Sequence, residues 1–400
     1  MAAYALKKPV YIVAGARTAF GKFCGSLSSY KNHDLAEVAA RGALAQVPQI
    51  SAEHLDTSIW GTVMFSDSGS PGCARSVALN IGMREETPNL QVNRLCGSGF
   101  QSICSVSDEI EKGMANIGLA GGAENMSNVP YMIYGARKGF GLTQNIVGVD
   151  ALWEGLGDVR LGIKMGVTAE NLAEKYGVTR EDADNFAYRS QQNWARANAE
   201  GLFKKEIVSM KIKVKRKEVD FMEDEGPRPQ TTLESLQKLP PVFKKNGVVT
   251  AGNSSTINDG AAAAILAGEE AVKEHNLKPL ARIVGYSYVG VDPAVMGIGP
   301  VPAIQKLWEK TGISRDDVAL YDINEAFAAQ AFGCQKVLEL DTDKFNVNGG
   351  ACALGHPVGV SGTRITAHLA HELQRTGGRY AVGSACIGAG QGIAVMIERC

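Results

Sequence analysis

Asn93-Arg94-Leu95-Cys96-Gly97-Ser98-Gly99 closes a short apolar run and opens an amphipathic one, and Asn348-Gly349-Gly350-Ala351-Cys352-Ala353-Leu354-Gly355-His356 does the same far along the chain. Each reads as a strand end, a glycine-rich turn and a long amphipathic helix, which is the joint of a βαβ unit. Around the first copy, period-two and short apolar runs predict strands at Val10 to Ala14, Ser58 to Met64, Leu90 to Asn93 and Ile117 to Gly121. Helical patterns begin near Asp34, Cys73 and Gly97. Around the second, the order repeats: strand Ala281 to Tyr288, helix Val301 to Lys310, strand Val318 to Ile323, helix Ala326 to Leu338, strand Phe345 to Asn348, helix Val360 to Arg375 and strand Arg379 to Ser384. A duplicated α/β unit brings two helix N-termini together across a pseudo-twofold axis, and active sites form at such junctions.

The middle, from about Met126 to Val249, has a different character. Thr179-Arg180-Glu181-Asp182 resembles a capping box, Ala183, Phe186, Ala187, Trp194 and Ala197 share one helical face, and Gly201 ends the helix. Met210 to Lys217 alternates lysine with mostly apolar residues, as a half-exposed strand does; a charge-protected edge or a phosphate contact both fit. The expected organisation is a first half of 1–125 with 250–277, an inserted lid of 126–249, and a second half of 278–400.

Composition bounds what such a chain can do. It has 400 residues, 45% hydrophobic and 21% charged, which suits two or three α/β domains and excludes disorder. Lys plus Arg number 41 against 42 Asp plus Glu, so the net charge of -1 gives no overall field toward nucleic acid or an anionic membrane. No apolar run reaches the roughly 18 residues of a membrane span, and the start lacks the h-region of a secretory signal. Eight cysteines without paired spacing are expected to be free thiols in a reducing compartment.

Four side chains could carry chemistry. Cys96 stands before a helix, whose positive end lowers a thiol pKa; it is either a reactive thiolate or a buried structural cysteine. His356, among glycines and before Pro357, is a base for a thiol or a satisfied structural histidine. His33, His54, His275, His368 and His371 lie in less suitable settings. Asn324, in Asn324-Glu325-Ala326-Phe327, can hold a water, cap the following helix, or both. Cys386 follows a strand in a glycine-rich segment that resembles a hairpin bend. Zinc-type ligand spacing, a Walker loop and a dinucleotide fingerprint are all missing, and no metal is expected.

Together the segments 93–100, 324–327, 348–357 and 386–392, with Gly121 to Ser127, Thr250 to Ser255 and Asn258 to Ala262, strongly resemble the thiolases over the full length. The nucleophile segment and the stretch Arg228 to Phe243 are most similar to the 3-ketoacyl-CoA thiolases of mitochondria, with biosynthetic acetoacetyl-CoA thiolases next. Lys164-Met165 departs from the His-Met usual in the bacterial biosynthetic enzymes. The resemblance implies an α/β thiolase fold with a duplicated five-layered α-β-α-β-α core and an inserted lid. It implies acyl transfer from a 3-ketoacyl-CoA to free CoA, with His356 activating Cys96 and Cys386 serving as acid and then base. Asn324 would hold a water that serves the enolate oxygen with His356, and the N–H groups of Cys96 and Gly388 would serve the tetrahedral oxyanion.

By the same likeness Leu156, Met165, Arg228, Ser235, Phe243, Ala251, Ser255, Met296 and Phe327 lie near CoA, no cofactor is permanently bound, and the chain is a dimer of dimers. About nine residues precede the first expected strand, too few for an ordinary cleaved transit peptide. Uncleaved import into the mitochondrial matrix is the expected location, with the cytoplasm as alternative. Ketoacyl synthases share the duplicated fold and a cysteine nucleophile but lack the second cysteine, and a non-catalytic acyl-CoA carrier would have no use for all four residues.

Overall fold

A computed structural model describes residues 2–214 and 217–400. The first half forms β1 (Val10–Thr18), α1 (Asn32–Ala45), β2 (Thr57–Gly61), α2 (Cys73–Ile81), β3 (Asn89–Val92), α3 (Ser98–Glu111), β4 (Ile117–Asn125) and, after a long excursion, β5 (Asn258–Gly268). The excursion carries α4 (Met165–Tyr176) and α5 (Arg180–Ala199). The second half forms β6 (Ala281–Gly290), α6 (Pro300–Thr311), β7 (Val318–Ile323), α7 (Ala328–Leu338), α8 (Ser361–Thr376), β8 (Tyr380–Ile387) and β9 (Gln391–Arg399).

The duplication is visible in strand pairing. In the first half β1 pairs antiparallel with β5 and β5 with β4, while β4 and β2, and β2 and β3, run parallel. In the second half β6 pairs antiparallel with β9 and β9 with β8, and β8 lies parallel to β7. The outermost position, expected to be the strand Phe345 to Asn348, is a single parallel bridge between Phe345 and Tyr321. Asn346 explains the short run: it leaves β geometry at φ 47° and spends its side chain on the N–H and C=O of Ile323, replacing ladder bonds with side-chain bonds. The two halves join where Ile12 and Tyr11 of β1 pair with Ala281 and Arg282 of β6. A short strand, Ala2–Ala5, missed by periodicity, adds to β6.

Five layers follow from which faces are apolar. In this continuous sheet, one face of the first half's strands packs on α1 and α2, and one face of the second half's strands packs on α6, α7 and the excursion helices. The inner faces of both sets of strands enclose Phe100, Ile103 and Val106 of α3 and Ile365, Leu369 and Leu373 of α8. These central helices approach at backbone distance: a side chain at Gly99 would meet the amide of Thr363 at 2.6 Å, and one at Gly362 would run into that of Phe100. Their N-termini are therefore brought side by side.

The excursion leaves the sheet at the end of β4 and returns at β5, where Asp259 pairs with Asn125. Thr179 caps α5 in a reciprocal box with Asp182, and Ala183, Phe186, Ala187, Trp194 and Ala197 are all buried. Met210–Val214 forms a hairpin with Lys217–Phe221, with Ile212 buried and Lys211 and Lys213 exposed; Lys215 and Arg216 lie outside the described residues.

A buried charge cluster fastens the excursion to the core. Arg17 of β1 bonds Glu206 at 2.8 Å and both carboxylate oxygens of Asp224 at 2.7 and 3.0 Å, and His368 of α8 bonds Glu206 at 2.8 Å. Asp224 also accepts from the amide of Phe20 and the indole of Trp194. Asp224→Ala leaves a buried guanidinium half-paired and two donors orphaned, so a loss of about 3–5 kcal/mol is expected in chemical denaturation. A loss under about 1 kcal/mol would show that the cluster does not hold the excursion down.

Candidate active site

At the junction of the halves lies a pocket of about 680 Å³. Cys96, His356 and Gly388 line it, as do Leu156, Met165, Arg228, Phe243, Ala251, Ser255, Met296 and Phe327. Ser235 does not: it is exposed, and its hydroxyl donates to the carbonyl of Thr232 within its own helix cap. Asn324 and Cys386 are fully buried and sit behind the lining, Cys386 packed with Met296, Ala326, Met165 and Phe327.

Cys96 is held in a turn between β3 and α3. Asn93 Oδ1 accepts the amide of Leu95, the amide of Arg94 donates to Ser98 Oγ, and Leu95 takes the left-handed conformation at φ 47°. The thiol is thereby offered two residues before the helix begins. Its pKa differs from the sequence expectation. Burial pushes it up to about 11, against the opposing pull of the N–H groups of Gly388 and of Cys96 itself. The two N–H groups offset only part of the cost of placing charge in an apolar pocket. With its pKa at about 11 the thiol is neutral, and a thiolate must be made by proton transfer.

The acceptor for that proton is placed by the second half. Gly355, at φ 98°, packs so closely on Asn258 that any side chain would collide. The amide of His356 donates to Thr256 O at 3.1 Å, and Nδ1 lies 2.6 Å from Ser361 Oγ. Ser361 Oγ in turn lies 3.4 Å from Pro357 O, so the hydroxyl is free to accept from an Nδ1–H while donating onward. On the other edge, Asn324 Nδ2 faces Nε2 at 3.3 Å. A donor there requires Nε2 to be the acceptor, which assigns the neutral Nδ1–H tautomer by its hydrogen-bond partners. Burial and the Arg364 cation lower the imidazole to about 4 and keep it neutral.

Asn324 is not a helix cap. Its N–H bonds Ser384 O at 2.9 Å, while α7 begins only at Ala328 after Phe327. With Nδ2 on His356, its buried Oδ1 has no partner among the described residues, an acceptor suited to a water. Glu325 beside it anchors this turn by accepting from Ser190 Oγ, Asn346 Nδ2 and the amide of Cys352. Cys386 is the penultimate residue of β8, which ends at Ile387 before a tight turn through Gly388, Ala389 at φ 61° and Gly390 at φ 82°. Burial pushes its thiol well above the ordinary range, and a thiolate on nearby Cys96 would push it in the same direction. The two sulfurs therefore sense each other.

Several lining residues carried no motif: Met64, Trp153 and Val358 among the apolar ones, and Lys22 among the cations. Their signal is tertiary only, since they meet from both halves and the excursion. Lys164 is tied down, donating to Trp153 O at 2.9 Å and lying over the Trp153 ring at 5.4 Å. Exposed Lys22 and Arg228 leave positive charge on the open side, which suits a phosphorylated ligand.

Comparison with known proteins identifies the family. The thiolase N-terminal domain family matches residues 10–270 and the thiolase C-terminal domain family residues 277–399. The mitochondrial 3-ketoacyl-CoA thiolase of Bos taurus is 52% identical over 394 residues, covering 98% of this chain and 99% of that one. The crystal structure of human mitochondrial 3-ketoacyl-CoA thiolase superposes with a TM-score of 0.97 at 52% identity, covering 99% of this chain and 100% of that one. The same human enzyme in complex with CoA superposes at 0.96 with 51% identity, covering 99% of both chains.

Proposed function

The chain belongs to the thiolase family, and from that premise we propose that it cleaves 3-ketoacyl-CoA with CoA to give acetyl-CoA and an acyl-CoA two carbons shorter, the closing reaction of a β-oxidation cycle. The observation that carries this reading is the meeting of Cys96, His356 and Gly388 on one pocket floor with Cys386 close behind.

His356 Nε2 takes the proton of Cys96, and the thiolate attacks the 3-keto carbon. The alkoxide that forms lies by the N–H groups of Cys96 and Gly388, the two donors already directed at the sulfur. Its collapse breaks the C2–C3 bond and leaves an acyl group on Cys96 and the enolate of acetyl-CoA. His356 and a water on Asn324 Oδ1 hold the enolate oxygen, and the Cys386 thiol protonates its carbon. In the second half Cys386 thiolate takes the proton of incoming CoA, whose sulfur attacks the acyl carbon and expels Cys96. Nothing in this cycle calls for a resident cofactor; CoA and acyl-CoA are substrates.

CoA lies along the inserted region, with Arg228 on the phosphate-bearing end and Leu156, Met165, Phe243, Ala251, Ser255, Met296 and Phe327 along the arm; Ser235 belongs to the outer rim. The division into 1–125 with 250–277, 126–249 and 278–400 assigns the halves to chemistry and the insert to CoA. Assembly as a dimer of dimers and residence in the mitochondrial matrix complete the proposal, supported by relatives named as mitochondrial. No helix among the described residues is long and apolar enough to cross a membrane.

A thiolysis assay across 3-ketoacyl-CoA lengths, beginning at acetoacetyl-CoA, tests the reading. Turnover of longer substrates is expected. Restriction to acetoacetyl-CoA would indicate a biosynthetic thiolase, and no thiolysis at any length would overturn the assignment.

A further inference from the structure

Glu124, at the end of β4, has no part in the proton transfers above, yet its carboxylate is fully buried beside the pocket floor. Its Oε1 accepts the amide of Met64 at 2.9 Å, and its Oε2 accepts those of Val63 at 3.1 Å and Gly359 at 2.9 Å. Val63 and Met64 belong to the first half and line the pocket beside Cys96, with Met64 packed on Met126, Leu152 and Val358. Gly359 belongs to the second half, three residues beyond His356. All three amides lie outside helices and strands, and the carboxylate is their hydrogen-bond partner.

The backbone is shaped around this contact. A side chain at Gly122 would run into the carbonyl of Gly359, one at Gly61 would stand 2.8 Å from the same oxygen, and one at Gly359 would stand 2.9 Å from Glu124 Oε2. Three glycines thus let the loop carrying His356 settle onto the strands of the other half, and one carboxylate bonds both sides. Cys96 and His356 come from different halves, so their separation depends on such a tie.

We propose that Glu124 is a positioning residue for the Cys96–His356 pair, its carboxylate binding the amides of Val63 and Met64 in one half to that of Gly359 in the other and so setting the distance from thiol to base. The proposal rests on the thiolase reading for the roles of Cys96 and His356, but the tie itself does not. Burial lifts Glu124 to about 7 and the three N–H groups oppose that, so the carboxylate is ionised in mildly alkaline solution. Its charge opposes formation of the Cys96 thiolate; Asp259 and Cys73 also face it.

Those facts give Glu124→Gln two effects of opposite sign. The amide keeps the volume but offers a donor where a donor already points, so the two loops part. A fall in kcat on the order of 100-fold is expected, with KM and CoA affinity within about three-fold. Alkylation of Cys96 by iodoacetamide at about pH 8.5 is expected to quicken at least two-fold, because a nearby negative charge is gone. Turnover within two-fold of the parent overturns the proposal, and so does alkylation that slows along with turnover, which marks a general lesion. Hydrogen exchange on the unaltered protein supplies a readout free of both variant folding and activity. The amides of Val63, Met64 and Gly359 are expected to be protected like strand amides, and rapid exchange there overturns the tie. Absence of thiolysis in the unaltered protein would instead remove the functional reading and leave the exchange result standing.

Discussion

Cys96→Ala is expected to lower thiolysis by at least about 10⁴-fold while leaving the Kd for CoA within about three-fold. The argument is geometric. Cys96 contributes its sulfur to a pocket whose remaining walls come from the insert and both halves, including Met165, Phe243, Met296 and Phe327. Alanine keeps the backbone N–H groups of Cys96 and Gly388 and the turn built by Asn93 and Ser98, since none of those bonds uses the thiol. What disappears is the atom that carries the acyl group. Steady-state thiolysis and calorimetric titration with CoA separate the two effects, and mass spectrometry after mixing with substrate should find an acyl adduct in the parent alone. Turnover of the variant within about 100-fold of the parent would remove Cys96 from the mechanism.

The same residue shows what a sequence can and cannot say. Its place between β3 and α3 is legible because a strand, a glycine-rich turn and an amphipathic helix leave local signals. Its acidity is not, because the helix-end effect is local while the desolvation that pushes the thiol up to about 11 comes from the packed pocket. A second case is Phe345 to Asn348, whose apolar alternation reads as a strand. The side chain of Asn346 reaches Ile323 and replaces the ladder, a contact between distant segments. Repetition fared better than locality. The two halves share a strand order, antiparallel then parallel, because the duplication is written in the alternation of elements rather than in any one element. Met64 and Val358, by contrast, look like ordinary core residues until the fold brings them to one wall. Asn324 lay between both cases: its motif marked a functional turn, and only the structure separated it from the cap of α7 and put it on Nε2 of His356.

Cys386→Ser is expected to slow both half-reactions by about 10²–10⁴-fold with little change in KM. A serine fits the same buried niche among Met296, Ala326 and Phe327, so the wall of the pocket is preserved. Proton transfer is not preserved, since an alcohol is a far weaker acid than a thiol toward the enolate of acetyl-CoA. After that step the alkoxide would be needed to deprotonate CoA, and its formation in an apolar niche is costlier still. Cys386 already has its ionisation suppressed by burial, which suits an acid that must stay protonated until the enolate appears. Rapid mixing with 3-ketoacyl-CoA in the absence of CoA reads the first half-reaction through acetyl-CoA release. Addition of CoA to preformed acyl-enzyme reads the second. If one residue moves the proton in both directions, the two rates fall together. A variant that released acetyl-CoA slowly but passed its acyl group to CoA at the parent rate would confine Cys386 to the acid role and require a different base for the incoming thiol.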